Sequence, residues 1–69
     1  MRLSARNILK GTVVKVVRGA VNAQVVLRLE GGSQVVSIIT NESVDSLGLK
    51  EHQEAYAVIK ASNVMIAVD

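Results

Sequence analysis

The 69-residue sequence predicts an all-β protein, a small five-stranded Greek-key barrel with one short helix between strands three and four. Turn signals divide the chain into short segments, which is typical of all-β folds. Hydrophobic residues make up 49% of the chain and aromatic residues only 1%. The apolar side chains are therefore mostly Val, Ile, Leu and Ala, and the β-branched ones among them favour strands. The spacing of apolar residues changes once, after the third segment, where a helix is indicated.

The first three segments predict strands, and turn residues separate them. The strands are predicted at 7–17, 21–30 and 33–40. Arg-Gly-Ala at 18–20 turns the chain after the first strand, and Gly31-Gly32 predicts a tight hairpin, because glycine adopts positive φ without steric cost. The second strand alternates, and its apolar face carries Val21, Ala23, Val25, Leu27 and Leu29.

Residues 41–49 predict the single helix. Thr40 or Asn41 can cap its first amides, and Gly48 is placed to end it. The last two strands are predicted at 54–60 and 63–69. Three strands, a short helix and then further strands is the element order of an OB-type barrel. A small SH3-like barrel is the structural alternative.

The chain is expected to form one domain, 1–69, and to assemble as a homo-oligomer. A domain this short buries a small fraction of its surface. It has no Cys and one His, too few for a disulfide or a structural zinc site. The strands also carry apolar residues on their second face, which favours a subunit interface on the outer wall. These residues are Val26, Val36, Ile38, Val58 and Met65.

Composition argues against several functional classes. The formal net charge of +2 and a single aromatic residue, Tyr56, are poor equipment for an OB-type nucleic-acid module. No apolar run approaches the roughly 20 residues of a membrane span, and no signal peptide is visible, so a cytoplasmic location is expected. The sequence has no Cys, only one His and no paired-carboxylate motif, so an enzyme is not expected. His52 is interpreted as a solvated loop residue.

Two short segments are rich in hydrogen-bond donors. "SARN" at 4–7 offers the Ser4 hydroxyl and the Arg6 guanidinium, and "KAS" at 60–62 offers the Lys60 ammonium and the Ser62 hydroxyl. Neither segment contains a carboxylate, so both suit a fully deprotonated dianion such as molybdate, tungstate or sulfate. The alternative interpretation is an ordinary lead-in to a strand and an ordinary turn. "RGAVNA" at 18–23 leaves the same choice open.

Taken together, these motifs carry a family resemblance. "SARN", "GAVNAQV", "GG", "IT", "S…LGL" and "IKAS" occur in this order between Ser4 and Val68. The sequence closely resembles the molbindins, small cytoplasmic molybdate-binding proteins made of the Mop, or TOBE-type, domain. The resemblance implies an OB-like barrel assembled as a hexamer, a trimer of dimers. It implies molybdate or tungstate bound between subunits, with no organic cofactor.

The resemblance also implies which residues bind the anion. The "SARN" match suggests Ser4 and Arg6, and the "KAS" match suggests Lys60, Ala61 through its amide, and Ser62. A second site near a symmetry axis is implied in the turn, at Gly19, Ala20, Val21 and Asn22. The chain departs from the family at His52, where glycine is common and where histidine adopts a left-handed backbone less easily.

The function expected from this resemblance is storage and homeostasis of molybdate or tungstate in the cytoplasm. Two alternatives remain open. The same binding domain could sense the anion for, or deliver it to, molybdenum transport or regulation. An OB-fold nucleic-acid-binding module is the alternative from a different class.

Overall fold

The structure is a computed structural model that describes all 69 residues. Four antiparallel strands form one curved sheet in the order β3-β2-β1-β4. A seven-residue helix α1 follows β3, and a 3-10 turn follows β4. The elements are β1 Asn7–Arg18, β2 Asn22–Leu29, β3 Gln34–Thr40, α1 Asn41–Leu47, β4 Glu54–Ile59 and the 3-10 turn Ala61–Asn63. The all-β class and the position of the helix are confirmed.

The sequence signals at the turns and at the helix ends are confirmed. Gly31 and Gly32 both have positive φ and close the β2–β3 hairpin. The Thr40 hydroxyl accepts a hydrogen bond from the Ser43 amide, so Thr40 is the N-cap of α1. Gly48 adopts the left-handed conformation with φ of 62° and ends the helix. No helix of this fold is long and apolar enough to cross a membrane.

The core is small and lies on the concave side of the sheet. Its buried cluster consists of Val13, Ala23, Val25, Leu27 and Val44. A bulge between Val13 and Lys15 shifts the β1–β2 register by one residue. Val26, predicted on the outer face, lies next to this bulge and is only 6% exposed. Val36 and Ile38 match the prediction, since they are 58% and 62% exposed on the outer wall.

Val21 departs from its predicted place. It was expected to begin the inward face of the second strand, but β2 starts at Asn22. Val21 lies in the preceding turn and is exposed, and its carbonyl accepts a hydrogen bond from the Asn41 amide. The backbone of Val21 therefore joins the turn to helix α1 and does not extend the sheet.

The predicted fifth strand at 63–69 is not present in the sheet. Ala61–Asn63 forms the 3-10 turn, and residues 64–69 follow it outside any helix or strand. A strand needs a neighbouring backbone to pair with, and within the single chain this segment has none. Met65, Ile66 and Val68 are consequently 93%, 85% and 92% exposed. The five-stranded barrel is therefore not confirmed, and the sheet forms a half-barrel.

The half-barrel leaves an apolar cleft of about 620 Å³ between β3 and β4. Thirteen of its fourteen lining residues are hydrophobic, and Ser37 is the exception. Only seven of the 69 residues are buried. A core this small leaves apolar surface on both faces of the sheet exposed to water, which is unfavourable for an isolated chain.

Candidate oxyanion-binding sites

Strand pairing brings the two donor-rich segments together. β1 runs antiparallel to β4 with Asn7 opposite Ile59. The Asn7 side-chain amide also donates a hydrogen bond to the Ile59 carbonyl at 3.3 Å. The residues before Asn7 and those after Ile59 therefore leave the sheet at the same edge. We call this group the terminal cluster; it comprises Ser4, Arg6, Lys60, Ala61 and Ser62.

The donors of the terminal cluster have no acceptor within the chain. Arg6 and Lys60 form no ion pair. In contrast, Lys10 pairs with Glu54 at 3.2 Å and Arg18 pairs with Asp45. All five residues of the cluster are exposed. Two cations without an ion-pair partner and two hydroxyls, on segments that strand pairing brings together, form a positive, donor-rich surface that suits an anion.

The 3-10 turn adds backbone donors to this cluster. Its two hydrogen bonds are donated by the amides of Asn63 and Val64 to the carbonyls of Lys60 and Ala61. The amides of Ala61 and Ser62 donate to no group of the chain. The turn therefore uses its carbonyls internally and leaves two N–H groups available to a ligand.

The β1–β2 turn, residues 19–22, has the same character at the other end of β1. Its Gly19 amide donates to the Asn22 carbonyl at 2.8 Å. The Gly19 carbonyl accepts from the Asn41 side chain at 2.9 Å, and the Val21 carbonyl accepts from the Asn41 amide at 2.8 Å. The amides of Ala20 and Val21 donate to no group of the chain. Three carbonyls are thus occupied while two amides are free.

The terminal cluster and the β1–β2 turn are separate regions. They lie at opposite ends of the twelve-residue strand β1. At about 3.3 Å per residue, they are roughly 35 Å apart along the strand. No single anion contacts both within one chain. Of the nine predicted residues, five thus lie beside the Asn7–Ile59 end of the sheet and four lie in the β1–β2 turn, and their role as anion ligands stays a prediction.

Asn41 contributes to the second region and was missed as a site residue by sequence reasoning, which considered it only as a helix cap. It donates from both its backbone amide and its side chain to the β1–β2 turn, while its side-chain Oδ1 is buried without a partner. Thr40, its neighbour, is opposite Asn22 in the β2–β3 register. The signal available in the sequence was the polar residue Asn41, which follows directly after the strand β3.

The remaining polar groove is chemically different. It has a volume of about 310 Å³, and its lining includes Lys10, Arg28, Glu30 and Glu54. The two carboxylates place acceptors and negative charge beside the cations, so this groove does not suit an oxyanion. No three His, Cys, Asp or Glu side chains lie together in a way that would hold a metal cation.

Comparison with known proteins identifies the family of this chain. The family model of the TOBE domain matches residues 3–66. The chain belongs to the TOBE domain family. It is 54% identical over 66 residues to molybdenum-pterin-binding protein 3 of Clostridium pasteurianum, a match that covers 96% of this chain and 97% of that protein. The resemblance to Mop proteins found in the sequence is confirmed.

Solved structures show the same fold. MopII from Clostridium pasteurianum is 49% identical and has a TM-score of 0.91, and the match covers 97% of this chain and all of that chain. The cytoplasmic molybdate-binding protein ModG, solved with molybdate bound, is 58% identical and also has a TM-score of 0.91. That match covers 94% of this chain and 46% of the ModG chain.

Proposed function

We propose that this protein binds molybdate or tungstate in the cytoplasm and stores or buffers the anion. The observation that carries the proposal is the β1–β4 register, which brings "SARN" and "KAS" to one edge of the sheet. The names of the relatives support the choice of ligand, since they are molybdenum-pterin-binding and molybdate-binding proteins.

The donor sets favour a fully deprotonated anion. Arg6 and Lys60 supply charge, while Ser4, Ser62 and the Ala61 amide supply further hydrogen-bond donors. Phosphate near neutral pH retains an O–H group that needs an acceptor, and the terminal cluster contains no carboxylate. Hydrogen phosphate would therefore leave a buried donor unsatisfied, whereas molybdate, tungstate and sulfate would not.

The exposure of these donors supports the proposal that the anion binds at a subunit interface. All five residues of the terminal cluster are exposed in the single chain. An oxyanion held only by exposed groups keeps much of its water, and the interaction is weakened by the high dielectric constant. A second chain placed over the cluster would exclude this water and strengthen each charge-assisted hydrogen bond.

The apolar surfaces support assembly of several chains, which we propose to be a hexamer built as a trimer of dimers. The apolar cleft has open strand edges at β3 and β4, and residues 64–69 carry exposed apolar side chains with no partner. In the assembly, residues 63–69 of a neighbouring chain would complete the barrel as its fifth strand. The outer patch formed by Val36 and Ile38 would be covered by a further copy.

The mechanism is reversible binding without covalent change. The anion loses its water shell at the interface and gains fixed N–H and O–H donors. Because the proposed sites lie between chains, molybdate would stabilise the assembly more than the free chain. Because binding is reversible, the protein would release the anion as the concentration of free anion falls.

Isothermal titration calorimetry of the purified protein tests this function. Molybdate is titrated first, and sulfate and phosphate are titrated in parallel. We expect saturable heat from molybdate and little or none from phosphate. Absence of heat from every oxyanion would contradict the proposal and favour the nucleic-acid-binding alternative, which a titration with single-stranded oligonucleotides at two salt concentrations would then examine.

A further inference from the structure

We infer that Asn41 is a positioning residue for the second oxyanion site, because its side chain fixes the peptide unit that presents the Ala20 amide to the anion. This inference rests on the proposed function. It adds a residue on helix α1 to a site otherwise formed by the turn, and it assigns to Asn41 a role in binding and not only in helix capping.

In the β1–β2 turn, hydrogen bonds are distributed unevenly between carbonyls and amides. The carbonyls of Gly19, Val21 and Asn22 each accept a hydrogen bond from the chain. The amides of Ala20 and Val21 donate none. With three of its four carbonyls engaged and two amides free, the turn presents a partial positive charge without any charged side chain.

The peptide unit between Gly19 and Ala20 is held in one orientation by Asn41. The Gly19 carbonyl and the Ala20 amide belong to one planar trans unit, so they point in opposite directions. The Asn41 Nδ2 atom donates to the Gly19 carbonyl at 2.9 Å. A carbonyl held towards Asn41 therefore directs the Ala20 N–H away from Asn41, to the side where a ligand is free to bind.

Without the hydrogen bond from Asn41, this turn would be flexible. Gly19 has no Cβ, so rotation of the following peptide unit meets little steric resistance. The Asn41 side chain is the only side chain that donates to the carbonyls of this turn. Loss of its Nδ2 would release the Gly19 carbonyl, and a rotated unit would turn an acceptor towards the anion.

The oxygen of the Asn41 carboxamide lies in an unfavourable environment. The Asn41 Oδ1 atom is buried and has no hydrogen-bond partner. A buried acceptor without a donor destabilises a folded chain. The Asn41 side chain therefore destabilises the fold through its Oδ1 atom and stabilises the turn through its Nδ2 atom. This balance is expected of a residue whose role is in binding.

The test compares Asn41→Ala with Thr40→Ala. Thr40 caps α1 through its hydroxyl but makes no side-chain hydrogen bond to the turn, so its replacement weakens the same helix end and serves as the matched control. Molybdate bound per chain is measured by equilibrium dialysis over a range of free anion, and thermal unfolding is recorded with and without molybdate. The wild-type assembly and Arg6→Ala are measured in the same series.

We expect two classes of site in the wild type. Asn41→Ala should weaken the class that Arg6→Ala leaves intact by about tenfold, because the Ala20 amide would no longer be held in position to donate a hydrogen bond to the anion. Thr40→Ala should lower Tm and retain both classes. If Asn41→Ala keeps both classes, or if Thr40→Ala loses the same class to the same extent, the positioning role is wrong.

Two results distinguish failure of this inference from failure of the proposed function. A single class that Arg6→Ala removes would overturn the second site, and the inference with it, while the proposed function would stand. A wild type that binds no molybdate would overturn both.

Discussion

The terminal cluster and the β1–β2 turn both offer hydrogen-bond donors, but of different kinds. The terminal cluster assembles two cations and two hydroxyls from segments more than 50 residues apart, which strand pairing joins. The β1–β2 turn offers the neutral backbone amides of Ala20 and Val21, in a turn bonded to Asn41 of helix α1. The first region relies on charge, and the second relies on a fixed backbone.

This difference has energetic consequences. Long side chains such as Arg6 and Lys60 lose rotamer freedom when they bind an anion, and this opposes binding. Their charge compensates through stronger hydrogen bonds. The Ala20 amide loses little freedom, because the Gly19 carbonyl of the same peptide unit is already bonded to Asn41. The terminal cluster should therefore bind more tightly and depend more on solution conditions, while the turn should depend on the integrity of its scaffold.

The largest effect is expected from Gly11→Ala, because β1 connects the two regions. A Cβ at Gly11 would lie 2.7 Å from the Arg28 carbonyl oxygen, so β1 and β2 would have to move apart. Overpacking of this kind lowers the free energy of unfolding by about 1–3 kcal/mol. Thermal unfolding at fixed protein concentration should show the loss, and molybdate binding should weaken at both regions. Thr12→Ala, an exposed neighbour, is the control. Equal Tm values for the two variants would contradict the role of Gly11.

The next effect separates the two regions. Arg6→Ala and Lys60→Ala should each weaken the terminal class of sites by about 10–100-fold, since each removes a charge-assisted hydrogen bond. The turn class should be unchanged, and so should Tm without anion, because neither side chain is bonded within the chain. Equilibrium dialysis with molybdenum quantified by mass spectrometry measures both classes. Lys50→Ala, in a distant loop, is the matched control; the same loss in that variant would indicate a general effect of net charge.

A smaller effect sharpens the same comparison through salt. Raising NaCl from about 0.05 to 0.5 M shortens the screening length from roughly 14 to 4 Å and should weaken the terminal class by about tenfold. The turn class, which has no charged donor, should change less. Calorimetric titrations at the two salt concentrations measure this. A turn class more sensitive to salt than the terminal class would contradict the assignment of charge to the first region alone.

The smallest effect concerns a position that should affect neither region. His52 has a φ of 71°, and its conformation is held by hydrogen bonds of 2.8 Å between its amide and the Val13 carbonyl and between the Val13 amide and the Gln53 carbonyl. His52→Gly removes the left-handed strain and should raise the free energy of unfolding by about 1 kcal/mol or less, since glycine also gains freedom in the unfolded chain. Denaturant titration measures this change. A lower stability would mean that the imidazole contributes contacts that outweigh the strain.

The two regions also differ in how far sequence could predict them. Apolar periodicity and glycine positions predicted four strands, the hairpin at Gly31-Gly32 and the helix ended by Gly48, because these features depend on neighbouring residues. Donor composition pointed to the segments 4–7 and 60–62, whereas the second set, Gly19, Ala20, Val21 and Asn22, was implied by the family resemblance. The hydrogen bonds from Asn41 to the β1–β2 turn were not predicted, because they depend on the register that places Thr40 opposite Asn22. The fifth strand at 63–69 was predicted from its composition, but a strand needs a partner, and composition does not say which chain supplies it.

Native mass spectrometry of the wild-type protein at increasing molybdate concentration tests the central claim most directly, since it reports the number of chains and the number of bound anions together. Our account predicts an assembly of six chains that gains anions in two steps, one for the terminal clusters and one for the β1–β2 turns. A single chain whose mass does not change with molybdate would contradict both the assembly and the function.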